Sequence, residues 1–266
     1  MRVALVQVSY GDDEPVADRV ARVAALVREQ RGADLVVLPE LWAPGGFAYA
    51  TWEDRAEALD GPTMTAMASA ARDAGAVLHA GSIVERLAAP GADGRSLANT
   101  SVVFGRDGER LSAYRKIHRF GFGAGEPKLM EAGDELVVVD VGDARVGLST
   151  CYDLRFPELY RDQLDAGATV FAVPAAWPAR RAGHWTLLGQ ARAVENQCYV
   201  LAVNTAGTHA RTLMGGRSQI VAPSGEVIAE AGTDEEVLRA DIDLASVAAW
   251  RAEFPVLADR RGWRRP

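Results

Sequence analysis

The sequence predicts an α/β fold built from mixed β-sheets, and three observations support that prediction. Short apolar runs, typical of strands that are covered on both faces, alternate with helical segments. Other strand-like runs follow one another in pairs around turn sequences, as in antiparallel hairpins. No long linker divides the 266 residues, and a chain of this length can bury one large core. We therefore expect a single layered domain over residues 1–266.

Strands and helices alternate in the first part of the chain. Arg2–Val8 is typical of a buried strand, and the acidic segment before Pro15 predicts the start of a helix that continues to Arg31. Asp34–Leu38 is a short apolar strand that Pro39 ends. The next predicted elements are a helix from Gly61-Pro62 to about Ala74, a strand over Val77–Val84, and a hairpin of Thr100–Phe104 with Arg110–Tyr114.

The same mixture of elements continues in the second half. Leu136–Val141 and Ala144–Ser149 flank Gly142-Asp143 and predict another hairpin. A helix is expected from Phe156-Pro157, and Thr169–Val173 is an apolar strand that ends before a proline. The remaining predicted elements are a helix over Trp185–Asn196, a strand over Tyr199–Val203, a hairpin of Ser218–Val221 with Val227–Ala229, and a helix over Leu244–Arg251.

The charge and the apolar runs exclude several classes of protein. A formal net charge of −7 repels phosphate backbones, so we expect no nucleic-acid partner. No apolar run approaches the roughly 18 residues of a membrane span, and the apolar N-terminal stretch is too short for a signal sequence. A solvated tail or a subunit contact explains the late arginines better than a nucleic-acid site does. These arginines are Arg260, Arg261, Arg264 and Arg265.

The two cysteines, Cys151 and Cys198, are too few for a disulfide scaffold. Neither belongs to a CxxC or metal-binding spacing, so we expect no metal. This cysteine usage favours a reducing, cytoplasmic location.

Three polar residues of complementary chemistry follow predicted apolar strands. They are Glu40, Lys116 and Cys151. In open α/β folds, ligands gather at the carboxyl ends of strands. A carboxylate, an amine and a thiol at that edge are the three parts of an acyl-transfer site.

The residue types suggest a role for each group. A free thiol has a pKa near 8.5, so Cys151 needs a base such as Glu40 to take its proton during attack. Burial raises the pKa of a carboxyl group towards the working pH, which suits general acid–base catalysis. Lys116 and the backbone N–H of Tyr152 could stabilise the negative charge that develops on an amide oxygen, and losing one such donor costs about 3–4 kcal/mol.

Each of these residues also has a purely structural explanation. A cysteine after a buried strand is often a small core residue, a glutamate after proline is often a helix cap, and a lysine between polar neighbours is often solvated. Residue type and position alone therefore leave an enzyme and a non-catalytic protein both open.

Three motif segments favour an enzyme, because they resemble the signature segments of the nitrilase superfamily in order and spacing. They are Leu38–Glu40, Tyr114–His118 and Cys151–Glu158. The resemblance extends over nearly the whole chain and is greatest to the Nit and ω-amidase-like branch. It also covers His184-Trp185, the segment Gln190–Gln197 and Asn204.

The resemblance implies a four-layer α-β-β-α sandwich with two mixed sheets, and no metal or cofactor. It further implies that Glu40 is the base, Lys116 the electrostatic stabiliser and Cys151 the nucleophile. Many members have a second glutamate seven residues before a conserved glycine, which assigns Glu126 here. Glu131 competes for this role because Ala132 replaces the usual proline and blurs the alignment.

Two segments depart from the branch pattern, and in the family both would line the substrate pocket. One is Arg119–Phe122, and the other contains Trp177, Arg180 and Arg181. Arginine suits bidentate recognition of a carboxylate. We therefore expect Trp177, Phe122 and the arginines at 155, 180 and 181 to bind substrate, and favour a small ω-amide with a remote carboxylate. The alternatives are that Arg155 anchors its loop through Asp153 or Glu158, and that Arg180 and Arg181 are surface residues.

Other functions stay open from the sequence. N-carbamoyl amine hydrolysis and nitrile hydrolysis belong to the same superfamily, and the preference for amides is an analogy with one branch. A Cys–His hydrolase would use His184 or His118 as base. We expect instead that His118 supports Lys116 without contacting the substrate. A non-catalytic binding or scaffold protein could share the fold.

The family often forms oligomers that start from a dimer, so we expect a homodimer or higher homo-oligomer. An apolar tail from about residue 253 must pack either on its own domain or on a partner subunit. Its apolar residues are Phe254, Pro255, Val256, Leu257 and Trp263.

Overall fold

Two six-stranded sheets form the centre of the computed structural model, which describes residues 1–261. The first sheet contains, in spatial order, β14 (Glu236–Asp241), β1 (Arg2–Gln7), β2 (Leu35–Val37), β3 (Val77–Arg86), β4 (Leu97–Phe104) and β5 (Arg110–Arg115). The second contains β13 (Val227–Glu230), β12 (Gln219–Val221), β9 (Tyr199–Asn204), β8 (Val170–Ala175), β7 (Ala144–Leu148) and β6 (Val138–Val141). A separate short pair consists of β10 (Thr208–His209) and β11 (Thr212–Leu213).

Helices flank the sheets, and shorter turns connect them. The α-helices are α1 (Val16–Arg28), α2 (Pro62–Ala74), α3 (Glu126–Leu129), α4 (Pro157–Asp165), α5 (Ala182–Asn196) and α6 (Ala245–Glu253). The 3₁₀ turns are Tyr49–Thr51, Cys151–Arg155, Ala179–Arg181 and Val256–Asp259. No helix within residues 1–261 is long and apolar enough to cross a membrane.

The two sheets pack face to face, and helices cover their outer faces. Leu5 on β1 and Leu148 on β7 lie in the core cluster between the sheets. Val6 points to the opposite face, as the period of a strand requires, and packs with α1 and α2. On the outer face of the second sheet, Phe171 belongs to the same cluster as Trp185 of α5. This order of layers confirms the predicted four-layer α-β-β-α sandwich, and burial on both faces explains the continuous apolar runs.

Several elements differ from the sequence-based expectation. The sequence does not predict β14, which pairs antiparallel with β1 at the sheet edge. Its residues alternate between exposed polar and more buried apolar side chains, so it lacks a continuous apolar run. Helix α1 starts at Val16, directly after Pro15 with its extended backbone (ψ of 142°), and ends at Arg28 rather than at the predicted Arg31. Helix α5 begins at Ala182 rather than Trp185.

The carboxyl ends of strands from both sheets meet at one edge. β1, β2 and β3 are parallel, and β5 has their direction because β3 and β5 are both antiparallel to β4. β7, β8 and β9 are also parallel to one another. The N–H of Ala176, just after β8, donates to the carboxylate of Glu40, just after β2, at 2.8 Å. This contact joins the two sheets at the place where the candidate site residues follow their strands.

The segment after α6 packs partly on its own domain. Leu257 contacts the cluster beneath α4 and α5, and Arg260 pairs with Asp165 at 2.6 Å. Phe254 is exposed. Trp263, Arg264 and Arg265, which the sequence analysis placed in the tail, lie outside the described residues.

Candidate active site

Cys151 lies at the start of a 3₁₀ turn, three residues beyond the end of β7. Its φ is +50°, in the left-handed region that non-glycine residues rarely adopt. A capping box between Thr150 and Asp153 holds this conformation, and the Asp153 carboxylate accepts the Thr150 N–H at 2.8 Å. Backbone strain of this kind is typical of functional sites and persists only when its surroundings enforce it. The thiol is only slightly exposed, at 7%.

Asp153 also connects the cysteine turn to the segment around Lys116. Its carboxylate accepts the Tyr114 hydroxyl at 2.7 Å and the His118 N–H at 2.9 Å. The His118 ring bonds to the same carboxylate through Nδ1 at 2.8 Å and stacks on Phe156 with ring centroids 3.7 Å apart. Asp153 therefore fixes the position of Lys116 relative to Cys151, and His118 supports that connection.

A buried network of two carboxylates and one cation lies beside the thiol. The Lys116 Nζ donates to Glu40 Oε1 at 2.7 Å and lies 2.9 Å from Glu126 Oε2. Asn99 donates to the Oε1 atoms of both glutamates, at 2.8 Å and 2.7 Å. All four side chains are buried. The structure thus places Glu40, Lys116, Glu126 and Cys151 together, as the sequence analysis expects.

Burial and charge shift the ionisation of these groups. Burial, and then the neighbouring Glu40 carboxylate, raise the pKa of the Cys151 thiol well above its usual value, so the resting thiol is neutral. Burial alone would lower the pKa of Lys116, but Glu126 and Glu40 outweigh it and raise this pKa well above its usual value. Burial raises the pKa of Glu126 despite the opposing effect of Lys116. The site therefore contains a neutral nucleophile, a fixed cation and carboxylates able to exchange a proton.

Two small adjoining pockets share Cys151, Phe47, Phe120 and Ala176. The inner pocket is also lined by Glu40, Gly46, Tyr49, Trp52, Lys116 and Glu126. The outer pocket is also lined by Tyr152, Arg155, Trp177, Pro178 and Arg181. The space suits a small molecule whose reacting end points inward to the buried charges and whose other end lies among aromatic rings and arginines.

Two of the three predicted arginines line the outer pocket. The Arg155 guanidinium lies 4.7 Å above the Trp177 ring, and that of Arg181 lies 5.4 Å above the Phe120 ring. The buried Nη2 of Arg181 has no hydrogen-bond partner, and neither arginine pairs with an acid within residues 1–261. Burial, and then the charges of Arg180 and Arg155, lower the pKa of Arg181. An anion bound between Arg155 and Arg181 would relieve this repulsion.

Two predicted substrate-binding residues do not line the pocket. Arg180 is exposed in the Ala179–Arg181 turn, because consecutive residues of a helical turn point in different directions. Phe122 is 83% exposed, and it contacts the pocket only indirectly through the edge of Phe120. The structure therefore does not bring Arg180 or Phe122 to the pocket, and Phe120 takes the position expected of Phe122.

The other candidates have clear locations. Tyr152 is the second residue of the Cys151–Arg155 turn. The first hydrogen bond of this turn is donated by the Asp153 N–H to the Thr150 carbonyl at 3.1 Å, so the Tyr152 N–H precedes the hydrogen bonds of the turn. Glu131 accepts the N–H groups of Asp93 and Arg95 at 2.7 Å and 3.1 Å. It lines a separate cavity that does not contain Cys151. His184 is exposed, and its nearest polar contact is Arg155 at 3.4 Å.

Sequence analysis missed several residues that build the site. Asn99 begins a run of three polar residues, Asn99–Ser101, that are all buried in β4, and a polar run inside a predicted strand is the signal that could have identified it. Asn204 accepts the Trp177 N–H at 2.6 Å and donates to the Trp177 carbonyl at 3.1 Å, so it fixes the pocket wall. Phe47 belongs to the aromatic loop after β2. Within residues 1–261 no group of three or more His, Cys, Asp or Glu side chains is placed to hold a metal ion.

Comparisons with known proteins agree with this architecture. A model of the family described as carbon-nitrogen hydrolase matches residues 2–252. The chain is 46% identical over 263 residues to the 2-oxoglutaramate amidase of Paenarthrobacter nicotinovorans, covering 97% of this chain and 89% of that protein. It is 35% identical over 271 residues to omega-amidase NIT2 of Homo sapiens, covering 98% and 95%.

A solved structure shares the whole fold. It is a CN-hydrolase superfamily protein from Xanthomonas campestris, determined with an arsenic adduct in its active site. The TM-score is 0.89 at 32% sequence identity, and the alignment covers 100% of this chain and 99% of that one. These matches confirm the resemblance that the three motif segments indicate.

Proposed function

The chain belongs to the carbon-nitrogen hydrolase family, and from this premise we propose that it is a cysteine amidase for a small, carboxylate-bearing ω-amide. The observation that supports this most directly is a cysteine that lines one pocket with Glu40, beside a buried cation shared by two carboxylates. Such a group of residues supplies a nucleophile, a base and a stabiliser of negative charge within one small pocket.

Acylation begins at the neutral thiol. Cys151 Sγ attacks the amide carbon while Glu40 accepts the thiol proton, so charge separation is avoided in a buried site. The amide oxygen becomes negative, and Lys116 Nζ and the Tyr152 N–H stabilise it. The C–N bond then breaks, Glu40 returns the proton to the leaving nitrogen, and ammonia departs from a thioester.

Deacylation uses the same groups in reverse order. Glu40 takes a proton from water, whose oxygen attacks the thioester carbon. The C–S bond breaks, the proton returns to Cys151, and the acid product leaves. Glu126 lines the inner pocket and shares Lys116, so it acts as the second catalytic carboxylate that orients the ammonia or water.

We expect Glu126→Gln to lower kcat by about 100-fold, because the variant loses a charge that holds Lys116 and faces the leaving group. Ammonia release at saturating substrate measures this. Glu131→Gln is the matched control, since Glu131 binds only backbone N–H groups in a separate cavity, and its kcat should change less than about twofold. If Glu131→Gln lowered kcat as much as Glu126→Gln, the assignment of Glu126 as the second catalytic carboxylate would be wrong.

The outer pocket supports recognition of a carboxylate. Arg155 and Arg181 approach it from two sides, and the unpartnered Nη2 of Arg181 is available to an anion. A guanidinium binds a carboxylate through two parallel hydrogen bonds. The aromatic faces of Trp177 and Phe120 orient both arginines. A relative named 2-oxoglutaramate amidase fits the same substrate class, an α-keto acid monoamide.

We expect Arg181→Ala to raise KM for 2-oxoglutaramate by roughly 10- to 100-fold, because it removes a charged hydrogen bond to the remote carboxylate. The KM for butanamide, which has no carboxylate, should not change. Arg180→Ala is the control, since Arg180 has the same charge one residue away but lies outside the pocket. Wild-type efficiency on butanamide equal to that on 2-oxoglutaramate and succinamate would refute carboxylate recognition.

The other candidate functions are not favoured. His118 is committed to Asp153 and Phe156, and His184 is exposed, so neither supports a Cys–His mechanism. A non-catalytic scaffold would not explain a complete set of Glu40, Lys116 and Cys151 side chains. Nitriles and N-carbamoyl amines belong in the same ammonia-release screen as controls for substrate class.

Assembly and location are further parts of the proposal. We infer a homodimer or a higher homo-oligomer, consistent with the exposed apolar Leu187 and Val194 on α5 and with Phe254 after α6. A reducing cytoplasm fits two free, buried cysteines, one of which must stay reduced to react. Analytical ultracentrifugation of the full chain tests the oligomeric state.

A further inference from the structure

Asn99 contacts both carboxylates of the site through its side chain and the backbone N–H of Lys116 through its carbonyl. Its Nδ2 lies 2.8 Å from Glu40 Oε1 and 2.7 Å from Glu126 Oε1, and its carbonyl accepts the Lys116 N–H at 2.9 Å. A primary amide has two N–H donors, and here each points to a different carboxylate. The reverse orientation would place the amide oxygen against two anions, so the charges around Asn99 determine its orientation.

The other end of this side chain has no hydrogen-bond partner. Asn99 Oδ1 is buried and unpaired within residues 1–261. Most buried polar atoms in proteins are paired, and an exception needs a reason. The reason here is that aiming both N–H groups at the carboxylates leaves the oxygen facing away from them.

The charge balance of the site explains why two donors are needed there. Glu40 and Glu126 share one cation, Lys116, so two negative charges are compensated by one positive charge. Two carboxylates in one site repel each other, and one of them then tends to hold a proton. Two N–H dipoles stabilise both anions without adding a charge that would also attract the thiolate.

We propose that Asn99 is the positioning residue that keeps both carboxylates of the site ionised and at a fixed separation. The inference rests on the proposed function, because it assigns Asn99 a role in preparing the base. Without the amide, the carboxylate pair takes up a proton more easily, and the thiol loses its acceptor.

The titratable groups around Glu40 and Glu126 decide which protonation change a pH profile would detect. Lys116 and Cys151 adjoin the carboxylates, and Tyr49 and Tyr10 face them from the loop after β2 and from the segment after β1. Burial raises the pKa of Tyr49 to about 12, and burial also raises the pKa of Tyr10, so both phenols stay neutral. Neither phenol therefore contributes to the acidic limb of a pH profile.

The test compares three variants of the full chain. Asn99→Leu keeps the branched shape but removes the donors, and Asn99→Asp keeps the shape but adds a third acid. Thr100→Val is the matched control, because Thr100 is the next residue of β4 and loses one buried hydrogen bond to Glu85 on the opposite face. Two readouts are followed against pH: kcat/KM for 2-oxoglutaramate, and the rate of Cys151 alkylation by iodoacetamide.

We expect the acidic limb of both profiles to move to higher pH by about one unit in Asn99→Leu and at least as far in Asn99→Asp. The shift is to higher pH because a carboxylate that loses hydrogen-bond donors is protonated more easily. Thr100→Val should lower the melting temperature without moving the limb. If the Leu variant does not fold, the Asp variant, which has the native shape, decides the question.

The outcomes separate this inference from the proposed function. If both Asn99 variants lose activity equally at every pH, with the limb unmoved, Asn99 is only structural and the inference is wrong. If the wild type hydrolyses no amide, the proposed function fails, yet the alkylation profile still decides the role of Asn99. A limb that moves equally in Thr100→Val would also overturn the inference.

Discussion

We expect Cys151→Ala to lower amide hydrolysis by about 10⁴-fold or more, because the variant has no nucleophile to form the thioester. Removing the nucleophile of a cooperating catalytic group typically costs this much or more, and only binding and charge stabilisation remain. Ammonia release from 2-oxoglutaramate measures the loss. Mass spectrometry after an acid quench should detect an acyl adduct on the wild-type chain at Cys151 and none on the variant.

Cys198→Ala is the control for this result. Cys198 is the other buried cysteine, and its Sγ contacts the Ala168 carbonyl and Arg251, far from the glutamates of the site. Burial raises the pKa of Cys198 to about 11, and within residues 1–261 its Sγ contacts no carboxylate that could accept its proton. The variant should keep its activity and its adduct. Activity retained in Cys151→Ala, or lost equally in Cys198→Ala, would refute a Cys151 thioester.

We expect Glu40→Gln to lower kcat/KM by about 1,000-fold, since the variant loses the base that accepts the thiol proton. Both oxygens of Glu40 accept hydrogen bonds: Oε1 from Lys116 and Asn99, and Oε2 from the Ala176 N–H. A glutamine presents one NH₂ group to these donors, so the variant also loses a hydrogen bond and moves Lys116. Steady-state kinetics on 2-oxoglutaramate measure the loss.

Glu57→Gln is a suitable control, because the Glu57 carboxylate also accepts a backbone N–H, that of Thr63 at 2.9 Å, but lies outside the pocket. Its kcat/KM should stay within about twofold of the wild type. The same experiment distinguishes a Cys–His mechanism. If Glu40→Gln kept its activity while His118→Asn or His184→Gln lost it, the base would be a histidine.

Most of the fold follows from local sequence signals. Apolar runs such as Asp34–Leu38 and Thr169–Val173 predict strands because burial on both faces needs continuous apolar residues. β14 escapes this criterion because an edge strand with an exposed side alternates between polar and apolar residues. Helix and strand ends shift by a few residues because packing and capping, rather than composition, decide them.

The sequence by itself determined an α/β fold with mixed sheets, because the apolar patterns of its strands are local, and it marked Glu40, Lys116 and Cys151 as candidates because each follows a predicted strand. The order of the layers and the roles of these three residues were implied by the resemblance of the three motif segments to a known family. Only the tertiary structure decided which other residues join them. Asn99 and Glu40 are 59 residues apart, and Ala176 and Glu40 are 136 apart, so no local pattern links them. The choice of Arg181 over Arg180 likewise depends on the direction of a side chain within one turn, which is set by packing against Trp177 and Phe120.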